Sequence, residues 1–597
     1  MGGGLKSADV RFVLLGGAYI SASSYIRYSG RLYMSGKRSA ASERAAAHWS
    51  KKSKVNVEGE VKWVEIARSN GKPESIPILP EKSEGAGSTK EQPVDTQEEP
   101  QEHSNKQKQE KEQVIDLTDD QDFEDRPSID APTTFQSPVR LFNSPAHKPQ
   151  DNIDCISLKD LVSSPQLSKT YQFNFCINVD FFLKYITSDP LNTDIYFING
   201  ADYLVEMTQQ NRMRFKLRHV DIQLERFATH HTKMMVNFFR DGAAQIVVMS
   251  ANMTEMDFVG NTQGLWMSPM LHKGNGRESS FKNDFLAYLK AYNKHDLDLL
   301  AEELKLYDFG NVKAEFLSSV PGTFTIPEDD DRLKRSVQYG YGKLFQLLKL
   351  NKLFPKATET TDILAQVATI ASPFDFKSSN VFTHLLAPLI NGTKFPIAEG
   401  LEPLQKAMND EAHPFKPFLV FPTKNEVFGS VLKEYTSGIF YNIDDSGHRV
   451  PFLTNQHNII RKFMYRWSNS DPNLSQKAGR SNLAPHIKTY CASNDGFQTF
   501  MWYLLTSANL SKQAWGYPLK GSNGLKYKIS SYEAGIFIHP KLYGEDCHLK
   551  PILSSDSFPN GGDNNAVPIR VPYAFPIEKY HDSDEPWQAN IHQAVVE

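Results

Sequence analysis

Cysteine is scarce in this chain, and the four present, Cys155, Cys176, Cys491 and Cys547, form no Cys-x-x-Cys pair. That pattern argues against a zinc site and a disulfide framework and favours a reducing, intracellular compartment. No run of about 18 apolar residues occurs, so no transmembrane helix is expected. A large net charge is missing too. The 66 basic and 70 acidic side chains leave −4, which gives no global sign of nucleic-acid or acidic-membrane binding.

The charge is unevenly spread. Residues 1–54 hold ten Lys and Arg against two acids, and residues 81–125 hold five against fifteen. Val10–Ile20 is apolar but too short to span a bilayer. Its surroundings have the composition of a transit peptide, or of an unstructured start. The opening MGGGLKS is no myristoylation signal, because Lys6 stands where Ser or Thr is required. From about Lys72 to Gln150 too few large apolar side chains occur to offset ordering entropy, so disorder is expected. One island, Val114-Ile115-Asp116-Leu117-Thr118, precedes Asp119, Asp120, Asp122, Glu124 and Asp125. A short β-prone run beside acids suits strand addition to a basic-edged sheet. It resembles a SUMO-interacting motif, or is an incidental apolar cluster. Ser137-Pro138, Ser144-Pro145 and Ser164-Pro165 are candidate proline-directed phosphorylation sites.

With 37 Phe and 24 Tyr among 597 residues, the remainder has material for large cores. Phe173–Ile186 and Thr193–Phe197 read as segments of a buried α/β core. Ala244–Met249, Phe500–Leu505 and Ala534–Ile538 read as strands. Helical spacing marks Phe281–Asn293, Asp296–Leu304, Gly342–Phe354 and His457–Trp467. Helices alternating with buried strands argue for α/β layers.

One pattern occurs twice. His231-Thr232-Lys233 is followed by a strand and then Ser250 and Asn252. His486-Ile487-Lys488 is followed by a strand and then Ser507 and Asn509. The His-to-Asn separation is 21 residues in the first half and 23 in the second. The repeat predicts a duplicated α/β unit with its site on a pseudo-twofold axis. In extended chain, residues i and i+2 share a face, so each His projects with its Lys. His230 and Thr232 then take the other face, and Met234 and Met235 pack the core. Two lysines and two asparagines suit the non-bridging oxygens of a phosphodiester. One imidazole attacks phosphorus and the other protonates the leaving oxygen. No acidic cluster near the motifs offers a Mg²⁺ site, so neither metal nor cofactor is expected.

These paired motifs resemble the phospholipase D superfamily. The aspartate usual five places after the motif lysine is absent: Phe238 and Ser493 stand there. The asparagine form is similar to one branch, the tyrosyl-DNA phosphodiesterases that cleave 3′-phosphotyrosyl bonds. NTQGLWMSP (Asn261–Pro269), GRSNLAPHIKTY (Gly479–Tyr490), LTSANLSKQAWG (Leu505–Gly516) and SYEAGIF (Ser531–Phe537) resemble that family as well, over about residues 155–590.

The resemblance implies that His231 is the nucleophile that forms a phosphohistidine, and that His486 is first general acid and then base. It implies that Lys233, Lys488, Asn252 and Asn509 bind phosphate, and that Gln263 and Glu533 orient the two imidazoles. Phe227 resembles a DNA-stacking aromatic, with core packing as the other reading. Ser372, Ser507, Ser511 and Lys512 resemble DNA-phosphate contacts, and Trp587 matches a late tryptophan near the site.

The implied fold is two similar α/β/α sandwich domains, residues 153–340 and 341–597, behind a disordered region, residues 1–152. The implied activity is metal-independent DNA-repair hydrolysis of 3′ adducts, such as a topoisomerase I-derived tyrosyl peptide, from single- or double-stranded ends. A monomer in the nucleus, with a mitochondrial pool and no membrane contact, goes with this reading. The rivals are a lipid phosphodiesterase and a SUMO-recruited DNA-end scaffold without turnover.

Overall fold

The computed structural model describes residues 65–67, 73–75, 136–200, 208–225, 228–274, 279–354, 360–371, 415–436, 438–441, 457–458, 460–519, 526–554 and 563–589. The first sheet contains β1 (Arg140–Leu141), β2 (Leu167–Phe173), β3 (Asp194–Asn199), β4 (Lys216–Asp221), β5 (Met234–Phe239), β6 (Ala244–Met249) and β7 (Gly264–Met267). The second contains β8 (Glu315–Ser319), β9 (Thr361–Gln366), β10 (Phe415–Val420), β11 (Met464–Tyr465), β12 (Thr489–Ser493), β13 (Trp502–Thr506) and β14 (Ser531–Ile538).

Their spatial orders are β1-β7-β6-β5-β2-β3-β4 and β8-β14-β13-β12-β9-β10-β11. Within each, four antiparallel pairings are followed by two parallel ones. The duplication expected from the motifs is therefore present in the topology.

Strand alternation sorts side chains into layers. From β5, Met234, Val236 and Phe238 enter a central core, while Met235 faces an outer layer with Val247 and Met249. From the second sheet, Leu505 and Ile536 enter the same central core, while Leu504 and Phe537 face a second outer layer. The central core is continuous across both halves. The helix Ser280–Ala291 places buried Phe281, Phe285, Tyr288 and Leu289 against it, and Ser279 caps that helix by accepting from the Lys282 N–H. Each such side chain contributes roughly 1.5–3 kcal/mol by leaving water.

Helices follow the sequence pattern at Ser280–Ala291, His295–Leu304 and Gly340–Leu350. The helix expected over His457–Trp467 forms only at its start, where His457, Asn458 and Ile460 are helical. Arg461–Phe463 is a short 3-10 turn, and Met464–Tyr465 is a strand paired in parallel with Leu419–Val420. Sheet pairing here overrides a helical spacing of apolar residues.

Both domain boundaries move. β8 lies in the second sheet, so a division at 340/341 cuts across that sheet. Residues from 136 onward belong to the fold: β1 pairs with β7, and Val139, Leu141 and Phe142 are buried. Two of the three expected phosphorylation serines are buried as well. The Ser137 hydroxyl donates to Val139 O and the Ser144 hydroxyl to Val259 O. Apart from the paired strands Glu65–Ala67 and Pro73–Ser75, residues 1–135 lie outside the described residues. Val10–Ile20 and the SUMO-like Val114–Thr118 are among them. All four cysteines are free thiols.

Candidate active site

Each His-x-Lys tripeptide is a connection that enters the fourth strand of its sheet, β5 or β12, from a short strand: Thr229–His230 or Ala484–Pro485. Those short strands pair with the opposite half. Thr229–His230 runs parallel to the start of β14, and Ala484–Pro485 runs parallel to Asn261–Thr262. The His231 N–H donates to Tyr532 O at 2.9 Å. The N–H groups of His486 and Ile487 donate to Thr262 O at 3.1 and 2.9 Å. Gly264 permits this junction, since a Cβ there would lie 2.3 Å from Ile487 Cδ1.

The imidazoles are anchored across the same junction. His231 Nδ1 lies 2.9 Å from Glu533 Oε2, and His486 Nδ1 lies 2.8 Å from Gln263 Nε2. The Ser507 hydroxyl donates to Glu533 Oε2 at 2.5 Å, and the Ser250 hydroxyl donates to Gln263 Oε1 at 2.7 Å. Gln263 Nε2 also donates to Asp257 Oδ1 at 3.0 Å. Asp257 is buried, and its carboxylate further accepts from Asn261 Nδ2 and the Asn252 N–H.

These partners fix tautomers. The Glu533 carboxylate accepts Nδ1–H of His231, which leaves Nε2 with its lone pair. The Gln263 amide donates to Nδ1 of His486, which places the hydrogen on Nε2. Burial pushes the His231 pKa down to about 4, with Glu533 opposing and Lys233 reinforcing the shift. His486 is held well below the usual range by burial and by Lys488, Lys233 and His231. Burial alone would raise Glu533, but His231, Lys233 and Ser507 outweigh it and hold the carboxyl below its ordinary value. The His231 side chain is 13 % exposed and that of His486 only 3 %, so His231 is the more open of the two.

Lys233 and Lys488 are fully buried, and each ammonium donates to the carbonyl of its own motif histidine. Burial brings Lys233 down to about 8. It also holds Lys488 well below the ordinary lysine value, with Lys233 adding to the effect. Two buried cations, one of which lowers the pKa of the other, call for an anion beside them. The Asn509 side-chain oxygen accepts from the N–H groups of Ala368 and Thr369 at 3.1 and 2.8 Å. Asn252 Oδ1 has no hydrogen-bond partner among the described residues. Among those residues no group of three or more His, Cys, Asp or Glu side chains is placed to hold a metal ion.

Behind the tripeptide, His230 bridges Asn174 O and the Tyr292 hydroxyl, each at 2.9 Å, and Thr232 bonds the Tyr288 hydroxyl. Met234 and Met235 are fully buried in the core.

Two expected DNA contacts are corrected. Ser507 is buried with its hydroxyl committed to Glu533, so it positions that carboxylate. Trp587 is fully buried in the outer core, with its ring against Phe428, so no nucleotide reaches it there. Ser511 caps the helix Lys512–Trp515 by accepting from the Ala514 N–H, and Lys512 is partly buried. Phe227 and Ser372 lie outside the described residues. The sequence reading missed Asp257 and also Phe175, whose ring sits 5.4 Å from the His231 ring and beneath the Lys233 ammonium. An acid between the apolar Met256 and Phe258 was the available signal for Asp257.

Two His/Lys sets meet where the duplicated mixed sheets join, an arrangement suited to processing a phosphodiester. A family model described as "Tyrosyl-DNA phosphodiesterase" matches residues 138–581. A Schizosaccharomyces pombe protein named "Probable tyrosyl-DNA phosphodiesterase" is 30 % identical over 542 residues, covering 77 % of this chain and 94 % of that one. "Tyrosyl-DNA phosphodiesterase 1" of Saccharomyces cerevisiae is 27 % identical, covering 78 % and 87 %. A crystal structure of the yeast tyrosyl-DNA phosphodiesterase shares the fold with a TM-score of 0.59 at 24 % identity, covering 75 % of this chain and 98 % of that one. The chain belongs to the tyrosyl-DNA phosphodiesterase family, and with that membership it is a hydrolase, a phosphodiesterase of DNA repair. The lipid-phosphodiesterase and scaffold readings are not favoured.

Proposed function

We propose that this chain hydrolyses 3′-phosphotyrosyl and other 3′-blocking adducts from DNA ends through a phosphohistidine on His231. The observation that carries the role assignment is the chemical asymmetry of the two anchors, a carboxylate behind His231 and an amide behind His486. The carboxylate leaves His231 Nε2 basic and unprotonated, as a nucleophile requires. In the first step this atom bonds to phosphorus, and the bond from phosphorus to the tyrosyl oxygen breaks. His486 gives its Nε2 proton to the leaving phenolate.

The incoming phosphate anion supplies the opposite charge that lets His486 hold a second proton beside two lysines. Asp257, 3.5 Å from its Nδ1, works in the same direction. In the second step His486 takes a proton from water. The hydroxide bonds to phosphorus, the bond to His231 breaks, and a 3′-phosphate leaves. Lys233, Lys488, Asn252 and Asn509 hold the non-bridging oxygens as negative charge shifts onto them.

The test is release of tyrosine from a 3′-phosphotyrosyl oligonucleotide in EDTA, with the 3′-phosphate as the second product. No release, or release only after Mg²⁺ is added, overturns the proposal. The nucleus is the compartment this activity implies, with a mitochondrial pool directed by residues 1–54 as a transit segment. Fractionating cells that express the chain with and without them tests that part.

A further inference from the structure

His486 is the covered histidine of the pair, and Gly438, which has no side chain, lies against its Nε2 edge. A Cβ built on Gly438 would lie 2.4 Å from His486 Nε2, 2.5 Å from Cδ2 and 3.5 Å from Cε1. The first two distances are far inside van der Waals contact. Gly438 also has φ +81°, a conformation glycine enters without steric cost.

The backbone on either side is tied into the site. The Thr436 hydroxyl donates to Asn261 Oδ1 at 2.9 Å, and Asn261 Nδ2 donates to Asp257. Beyond Gly438, the Phe440 N–H donates to Ala368 O, and Phe440–Tyr441 pairs in parallel with Thr369–Ile370. The N–H groups of Ala368 and Thr369 are those held by Asn509. Gly438 is thus suspended over His486 between two anchors that belong to the phosphate site, and it has little room to back away.

Proton donation needs the departing oxygen within about 2.6–3.2 Å of Nε2. A methyl group at 438 would take up that volume. We propose that Gly438 is a positioning residue for the leaving group: by lacking a side chain it keeps open the place beside His486 Nε2 where the departing oxygen is protonated and where the attacking water is later deprotonated. This rests on His486 as acid and base.

The test uses Gly438→Ala and Gly438→Asn in the full chain. Each is given the same oligonucleotide bearing either a 3′-phosphotyrosine or a 3′-p-nitrophenyl phosphodiester. Tyrosine leaves poorly without a proton, whereas p-nitrophenolate does not need one. Single-turnover release of tyrosine should fall on the order of a hundredfold, and release of p-nitrophenol by less than about tenfold. Protein-linked DNA should accumulate with the latter substrate, because water activation is lost too. Asn tolerates positive φ far better than Ala, so equal impairment of both variants assigns the effect to the Cβ. Recovery in the Asn variant assigns it to backbone strain and overturns the inference. Equal losses on both substrates, or wild-type tyrosine release, overturn it as well. His231→Ala runs in parallel. If that variant is inactive while Gly438→Ala is normal, this inference alone fails. If His231→Ala is active, the underlying reading fails.

Discussion

Gln263 and Glu533 occupy the same position in the two sheets. Each immediately precedes the residue, Gly264 or Ala534, whose carbonyl accepts the N–H of Ser250 or Ser507, and each accepts that serine's hydroxyl. Both then reach across to the histidine of the opposite half. The duplication supplies the symmetry, and one amide-for-carboxylate difference breaks it. That difference gives two otherwise alike histidines opposite hydrogen-bonding states at Nε2.

Glu533→Gln should therefore slow formation of the covalent intermediate on the order of a hundredfold, with little change in DNA binding. Glu533 raises the His231 pKa, so its removal should also move the acid limb of the first step to lower pH. An unchanged limb would show that Glu533 serves the fold and not the imidazole.

His231→Ala should lose a thousandfold or more and form no adduct, as expected for a missing nucleophile. His486→Asn should still release p-nitrophenol and then stall as an acid-labile phosphohistidyl-DNA adduct. Peptide mapping of that adduct decides the matter: DNA on the peptide that carries residue 486 in a His231 variant would reverse the two roles.

The pH profile of the first step follows from burial. Measured as the p-nitrophenol burst, the rate should rise through about pH 4, level off, and fall by about pH 8. On the acid side His231, with its pKa near 4, gains a proton and loses its lone pair. On the alkaline side Lys488, which burial holds well below its ordinary value, and Lys233, near 8, lose the charge that binds phosphate. An acid limb close to the ordinary histidine value, about 6.5, would mean that His231 is solvated.

Truncations should separate at residue 136. Deleting residues 1–135 should leave cleavage of a short oligonucleotide and the melting temperature close to those of the full chain. Deleting residues 1–150 removes buried Val139, Leu141 and Phe142, each worth roughly 1.5–3 kcal/mol. It also removes His147, which bonds Asn482 and Arg480 in the segment leading to His486. A drop of several degrees in melting temperature is expected, read by calorimetry. Equal melting of the two truncations would show that residues 136–150 are dispensable.

The sequence alone determined the repeat, its two His-x-Lys tripeptides, the strand Ala244–Met249 and the helices near 280, 295 and 340. Local chemistry suffices for those, because period and residue type report which face is buried. Tertiary structure decided the rest. The partners of the two histidines lie 302 and 223 residues away, and only the pairing of one half's short strands with the other half brings them into reach. Strand pairing within the second half turned the helical spacing at 464–465 into a strand, and the second outer core took in Trp587. It also set Ser507 against Glu533 and suspended Gly438 over His486. Such contacts depend on sheet register between distant segments, and no local period in a chain encodes which distant strand will lie beside it.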